Sequence, residues 1–260
     1  MKKLVSLLLT GTLALGLLSG CSNAPAGGDP GTPQPPGSGS LEGTTITVAA
    51  SPTPHAEILA VARDVLAQQG ITLEIMEFTD YIQPNLATEE GEVDANYFQH
   101  ITYLNDFNEG NGTHLVSVAE IHYEPFGIYA GTTSSLADLP DGAKIGVPND
   151  PSNEGRALLL LQQEGLITLK EGVGLTATKL DIAENPKNLQ IEELEAAQLP
   201  RSLDSLDLAV INGNYALQAG LNAADALAIE STDGEATQAY VNVLAVKEGR
   251  ENDPAIQALV

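Results

Sequence analysis

Strand-like and helix-like segments alternate from Thr44 to the end of the chain, and this rhythm predicts an α/β fold with a largely parallel sheet. A hydrophobic content of 43% over 260 residues is enough for one large or two modest cores. Polar residues directly follow several strands, in "YFQH", "PND" and "NGN", at the carboxyl ends where open α/β sheets hold ligands. After "HLVSVAEIHYEPFGIYAG" comes the turn-rich "SSLADLPDG", which is expected to carry the chain from one α/β unit into a second.

The elements follow in order. "TTITVAAS" reads as a buried strand, and "HAEILAVARDVLAQQG" as a helix with Ile58, Leu59, Ala62, Val65 and Leu66 on one face and Gly70 as its stop. "ITLEIMEF" is the next strand, "YIQPNLATEEG" a short helix with proline near its start, "VDANYFQH" a strand, and "ITYLNDFNEG" a further helix. "AKIGVPND" is a strand feeding the helix "PSNEGRALLLLQQ", for which Asp150 is a good N-cap, Pro151 suits the first turn and Gly165 is the stop. "LQIEEL" and "LDLAVINGN" are strands, the second feeding "YALQAG", and "YVNVLAVKEG" is a last buried strand. No fixed-period repeat or heptad run is present.

The amino terminus has a different character. "MKKLVSLLLTGTLALGLLSG" pairs Lys2 and Lys3 with an apolar stretch, the pattern of an export signal, and is too short and too rich in Gly and Thr for a comfortable membrane span. The only cysteine, Cys21, follows Leu18, Ser19 and Gly20, which resembles the lipobox of bacterial lipoproteins and implies cleavage before Cys21 and its acylation. Acyl chains on the thiol and the new amine give stable membrane anchoring. Residues 22–43 are rich in Pro, Gly and Ser, a tether averaging about 25 Å as a flexible coil. A formal charge of −24 repels phosphate backbones and excludes nucleic acid as a natural partner.

No Gly-x-Ser-x-Gly elbow, phosphate loop, dinucleotide fingerprint or His-Glu-x-x-His helix is present, so neither an enzyme nor a cofactor is expected. His55, His100, His114 and His122 lack a local metal-ligand spacing, which leaves a cluster formed in space as the metal-binding alternative. Arg156 is one of only four arginines and lies early in its helix, where the macrodipole gives a cation nothing. Three residues before it on the same face is Asn153, beside free helix N–H groups: a carboxylate receptor, unless Arg156 pairs with Glu154 or another acid. Asn212 ends the apolar run "LAVI" and Asn242 interrupts "YVNVLAV"; buried amides need partners, and a small zwitterion would supply them. With seven tyrosines, four phenylalanines and no tryptophan in the chain, the grouping of Tyr81, Phe98, His100 and Tyr103 suggests a pocket wall.

Together "NYFQH", "EPFGIY", "PNDPSNEGRALLLLQ", "ENPKNLQIEELEAAQLPRSLD" and "AVINGNYAL", in this order after a lipobox, resemble the NlpA-type methionine-binding lipoproteins of bacterial ABC importers over residues 44–260. The resemblance implies a periplasmic-binding-protein fold of two α/β lobes, about 44–127 with 230–260 and about 128–229, closing on L-methionine. It further implies a monomer held on the extracytoplasmic side of the membrane by its lipid, delivering ligand to a permease and its ATPase subunit. Arg156 would then bind the ligand carboxylate with Asn153 beside it, Asn212 and Asn242 would hold the amino and carboxylate groups, and Tyr81, Phe98, His100 and Tyr103 would enclose the thioether. D-methionine, a short methionine peptide, a metal ion at the histidines, or an adhesin or chaperone role are the alternatives. Two departures stand out. The family usually reads Pro-Tyr-Leu where this chain has "TYL" after Ile101, and its members usually continue beyond "DPAIQALV".

Overall fold

The computed structural model describes residues 41–232 and 235–260, with the side chains of 235 and 236 left aside. The export signal, Cys21 and most of the tether lie outside the described residues. In chain order the elements are β1 (Thr45–Ala50), α1 (Glu57–Ala67), β2 (Thr72–Glu77), α2 (Gln83–Glu90), β3 (Ala95–His100), α3 (Ile101–Asn111), β4 (Leu115–Tyr123) and β5 (Gly127–Ala130). There follow β6 (Lys144–Pro148), α4 (Pro151–Gln163), β7 (Thr168–Leu169), β8 (Ile182–Glu184), β9 (Gln190–Leu194), β10 (Leu208–Ile211) and α5 (Gly213–Gln218). The chain ends with β11 (Ala228–Ile229), α6 (Glu235–Ala239), β12 (Val241–Lys247) and α7 (Pro254–Leu259).

Two five-stranded sheets organise the fold into two α/β lobes. The first has the order β2-β1-β3-β12-β4 and the second β11-β5-β10-β6-β9, with β7 and β8 as a small hairpin. Both sheets are mixed rather than largely parallel. In the first, β1 runs parallel to β2 and β3, whereas β12 is antiparallel to β3 and β4. In the second, β6 is parallel to β9 and β10, while β5 is antiparallel to β10 and β11. The physical reason lies in the crossings between lobes: β12 enters the first sheet from the second lobe, and β5 enters the second sheet from the first, so neither arrives through a βαβ crossover. The first crossing, residues 124–126, falls ahead of "SSLADLPDG", which is a loop within the second lobe rather than the passage between lobes.

Each sheet buries its own core. Ile46, Val48, Leu59, Leu66, Leu73, Tyr97, Leu244 and Val246 pack in the first, and Phe126, Ile128, Ile145, Val147, Leu158, Leu161, Leu208 and Val210 in the second. On α1 only Leu59 and Leu66 are buried, whereas Ile58 and Val65 are 37% and 52% exposed, so the helix rests on the sheet along a narrower stripe than its sequence suggests. No helix among the described residues is long and apolar enough to cross a membrane.

Candidate functional site

The carboxyl ends of strands from both lobes converge on one pocket. Its lining comprises Tyr81, Phe98, Gln99, His100, Tyr103, Glu124, Asn153, Arg156, Asn212, Gly213, Asn214 and Asn242. All eight residues singled out from the sequence as ligand-binding are brought together here.

On the first lobe, a bulge in β3 shapes the wall. β12 pairs Val243 with Gln99 and Leu244 with Tyr97, skipping Phe98. The extra residue re-aims the strand, so that Phe98, Gln99 and His100 all border the pocket in place of a simple alternation. Tyr81 stands at the centre of the aromatic wall, with ring centroids 5.8 Å from Phe98, 5.6 Å from Tyr103 and 4.8 Å from Tyr215. Tyr103 donates its hydroxyl to the Tyr81 carbonyl at 3.0 Å. Thr102 donates its hydroxyl to the Ala239 carbonyl at 2.5 Å and ties α3 to the residue before Tyr240 and β12.

His100 caps α3, its Nδ1 accepting from the Tyr103 backbone N–H at 3.0 Å. Since Nδ1 is an acceptor, the ring proton is on Nε2, which donates to Asn153 Oδ1 at 3.2 Å across the lobes. Burial and the neighbouring Arg156 guanidinium push the His100 pKa down to about 3, against the opposing bond to Asn153, so the ring is neutral near pH 7.

From the second lobe, α4 supplies Asn153 and Arg156. The Asp150 cap forms as its sequence predicts: Oδ1 accepts from the Asn153 N–H at 3.0 Å and from Asn153 Nδ2 at 2.8 Å. Asn153 Oδ1 also accepts from Asn212 Nδ2 at 2.8 Å. Asn153 is therefore a hub aligning His100 and Asn212. Arg156 is 4% exposed and is paired not with Glu154, which accepts instead from the Lys179 N–H, but with Glu230. Arg156 Nε donates to Glu230 Oε2 at 2.9 Å, and Nη2 to Glu230 Oε1 and to the Glu124 carbonyl, the latter at 2.8 Å. Its Cζ is 4.2 Å from the Tyr240 ring centroid and 4.8 Å from that of Phe126. Burial alone would lower the Arg156 pKa, but the bonds to Glu230 and its charge outweigh this and raise it.

At β10 and α5, Asn212 Oδ1 and Asn214 Nδ2 are buried without a hydrogen-bond partner. Asn214 Oδ1 accepts the Tyr81 hydroxyl at 2.5 Å, a second bond between the lobes. Gly213 between them sits close to the first crossing: a Cβ there would lie 3.0 Å from Glu124 Cβ and 3.2 Å from its Oε2, a fit to which Glu124 would have to yield by a few tenths of an ångström. Asn242 Oδ1 meets His55 Nε2 at 3.0 Å.

His55, His122 and Glu124 form the one spatial cluster of possible metal ligands among the described residues, their donor atoms within 4.8 Å of one another. Two atoms bound about 2.0–2.1 Å from a tetrahedral zinc lie roughly 3.4 Å apart. Here His122 Nε2 and Glu124 Oε1 are 2.8 Å apart, and Tyr97 donates to His122 Nδ1 at 2.6 Å, so the arrangement is that of a hydrogen-bonded chain ending on a pocket carboxylate. Burial holds the His55 pKa below its ordinary value despite Glu124 and Asn242 nearby. His114 lies apart on the surface, against Glu89.

Sequence reasoning did not single out Gln99, Glu124, Gly213, Asn214 or the Arg156 partner Glu230. Gln99, Gly213 and Asn214 lie within "YFQH" and "NGN", whose placement after strands was the available signal. Glu124 heads the motif "EPFGIY" and Glu230 follows a two-residue strand, but as two of 35 acidic residues neither stands out by residue type.

The NlpA lipoprotein family profile matches residues 46–260. The D-methionine-binding lipoprotein MetQ of Salmonella typhimurium is 46% identical over 208 residues, spanning 78% of this chain and 75% of that protein. A crystal structure from Ruminococcus gnavus ATCC 29149 is 59% identical with a TM-score of 0.82, covering 84% of this chain and 90% of that one. A nutrient binding protein from Burkholderia cenocepacia, solved bound to methionine, is 46% identical with a TM-score of 0.78, covering 82% of this chain and 89% of that one. With a profile matched across nearly the whole described fold, this chain belongs to the NlpA lipoprotein family.

Proposed function

We propose that this chain is a non-catalytic, lipid-anchored receptor that captures L-methionine and hands it to the permease and ATPase of an ABC importer. One observation carries the reading: the polar groups left without partners in the pocket are those a zwitterion needs. Asn214 Nδ2 is a buried donor awaiting an acceptor, and Asn212 Oδ1 a buried acceptor awaiting a donor. Arg156 Nη1 takes no part in the bonds to Glu230 and Glu124 among the described residues, and is the remaining arm of the fork for a carboxylate.

Charge completes the argument. Arg156 is already balanced by Glu230, so Glu124, a pocket-lining carboxylate whose side chain is 12% exposed and hydrogen-bonded to His122, is the acidic group assigned to the α-ammonium. Tyr81, Phe98 and Tyr103 form an apolar wall for the side chain. Burying a methionine side chain contributes about 1.5–3 kcal/mol and sulfur–aromatic contact about 0.3–1.5 kcal/mol more. With charged hydrogen bonds at about 1.5–3 kcal/mol each, a total of about −8 to −12 kcal/mol, micromolar to nanomolar affinity, is within reach after the costs of association. The Burkholderia relative was solved bound to methionine and the Salmonella relative is named for D-methionine, which supports methionine as the ligand and makes its enantiomer the point to test.

The lobes are taken as about 44–127 with 230–260 and about 128–229, a division that strand membership supports. The receptor acts as a monomer on the extracytoplasmic face, held by acylated Cys21. A thermal-shift series on protein refolded free of endogenous ligand, with L-methionine, D-methionine and glycyl-methionine, tests the reading. L-methionine should raise the melting temperature most. A larger shift from D-methionine or the dipeptide reassigns the ligand, and no shift from any of the three rejects the proposal.

A further inference from the structure

The partner of Arg156 occupies a particular place in the chain. Glu230 follows β11 and opens the second crossing between the lobes, and its backbone N–H donates to the Phe126 carbonyl at 3.0 Å. Its carboxylate accepts four hydrogen bonds. Oε1 receives the Tyr123 hydroxyl, the Phe126 backbone N–H at 2.8 Å and Arg156 Nη2, and Oε2 receives Arg156 Nε at 2.9 Å. Tyr123 precedes the first crossing and Phe126 is its last residue, and the carbonyl of Glu124, also within it, takes the other bond from Arg156 Nη2. One carboxylate, 10% exposed, thus joins both crossings to α4.

We infer that Glu230 is the positioning residue for Arg156, fixing its guanidinium to both crossings so that a ligand carboxylate meets a preset Nη1 donor anchored where the chain passes between the lobes. A guanidinium this deeply buried needs a counter-charge, and an arginine left to find its rotamer on binding would lose the entropy of ordering a long side chain at that moment. Bound to Glu230 through Nε and Nη2, it has only one plane available, with Nη1 left for the ligand. Glutamine cannot substitute. All four groups facing the carboxylate are donors, and an amide offers one oxygen to them and turns two N–H donors toward the rest.

The position of Arg156 does not depend on any ligand; its consequence for affinity rests on the methionine reading above. The test therefore has two arms. In ligand-free protein labelled at arginine, hydrogen exchange of the Arg156 Nε–H is followed by NMR in the wild type and in Glu230→Gln. The wild-type signal should be protected and exchange should accelerate by about tenfold or more in the variant. Calorimetry with L-methionine should show about tenfold weaker binding by Glu230→Gln, whereas Arg156→Ala and the double variant Arg156→Ala/Glu230→Gln should bind alike. Unchanged Nε–H protection in Glu230→Gln overturns the inference, as does an affinity loss that multiplies onto that of Arg156→Ala. Should Glu230→Gln not fold, Glu230→Asp, which keeps the charge and shortens its reach, takes its place with the same criteria. A wild type that binds no methionine sinks the ligand proposal, while Nε–H exchange still decides the role of Glu230.

Discussion

Gly155 sits inside α4, between the two residues that this helix brings to the pocket, and Gly155→Ala sets two magnitudes against each other. In an exposed helix interior the change stabilises by about 0.8–1.0 kcal/mol, because alanine loses less backbone freedom on folding. Here, however, the added Cβ would lie 2.3 Å from the Leu175 carbonyl oxygen and 3.0 Å from its carbon, where ordinary contact begins at 3.4 Å. Either α4 or the short turn Gly174–Thr176 must move by about 1 Å, and strain of this kind costs about 1–3 kcal/mol. The net expectation is a destabilisation of about 1 kcal/mol, read as the change in urea midpoint at constant m-value. Movement of α4 also shifts Asn153 and Arg156, so methionine affinity should fall with stability. Equal or higher stability with unchanged binding would refute the close-approach argument.

Three further substitutions probe the pocket. Glu124→Gln removes the charge assigned to the α-ammonium and should weaken L-methionine binding by about 10- to 150-fold, with little effect on the 2-hydroxy analogue, which has no ammonium; equal losses for both would contradict the assignment. Asp150→Ala removes the cap of α4 and the acceptor of Asn153 Nδ2, so stability should fall by about 1–2 kcal/mol in urea unfolding and binding should weaken, whereas Asp150→Asn should retain most of the stability. His100 makes folding sensitive to acid. Its folded pKa of about 3 lies below the unfolded value of 6.5, so between these pH values the unfolded chain binds one more proton and stability is lost as pH falls. Its share is about 1.4 kcal/mol at pH 5.5 relative to pH 8, and His100→Asn should flatten the stability profile between pH 8 and 5.5 by that amount; an unaltered slope would show that the ring is not held neutral.

Features set by local chemistry were legible in the sequence. Asp150-Pro151 announced the start of α4, Gly165 with φ +69° its end, and the spacing of Asn153 and Arg156 their common face. The aromatic grouping and the amides after strands led to one pocket because strand ends converge there. What the sequence concealed depends on long-range pairing. Glu124 and Glu230 are two of 35 acidic residues, and Glu230 acquires its role only because the second crossing passes the first, 74 residues from Arg156 in the chain. The β3 bulge, which turns both Phe98 and Gln99 toward the pocket, is likewise a product of pairing with a strand more than a hundred residues away. The same holds for the mixed sheets, since a strand's direction is set by the route the chain takes to reach it.

The most direct test of the central claim is calorimetric titration of ligand-stripped protein, residues 22–260, with L-methionine and then norleucine. Micromolar or tighter binding of methionine, with norleucine weaker by no more than about 1.5 kcal/mol, is the predicted result, as it fits a pocket that reads the zwitterion through Asn212, Asn214, Glu124 and Arg156 and the thioether through its aromatic wall. Folded protein that gives no heat of binding with methionine would contradict it.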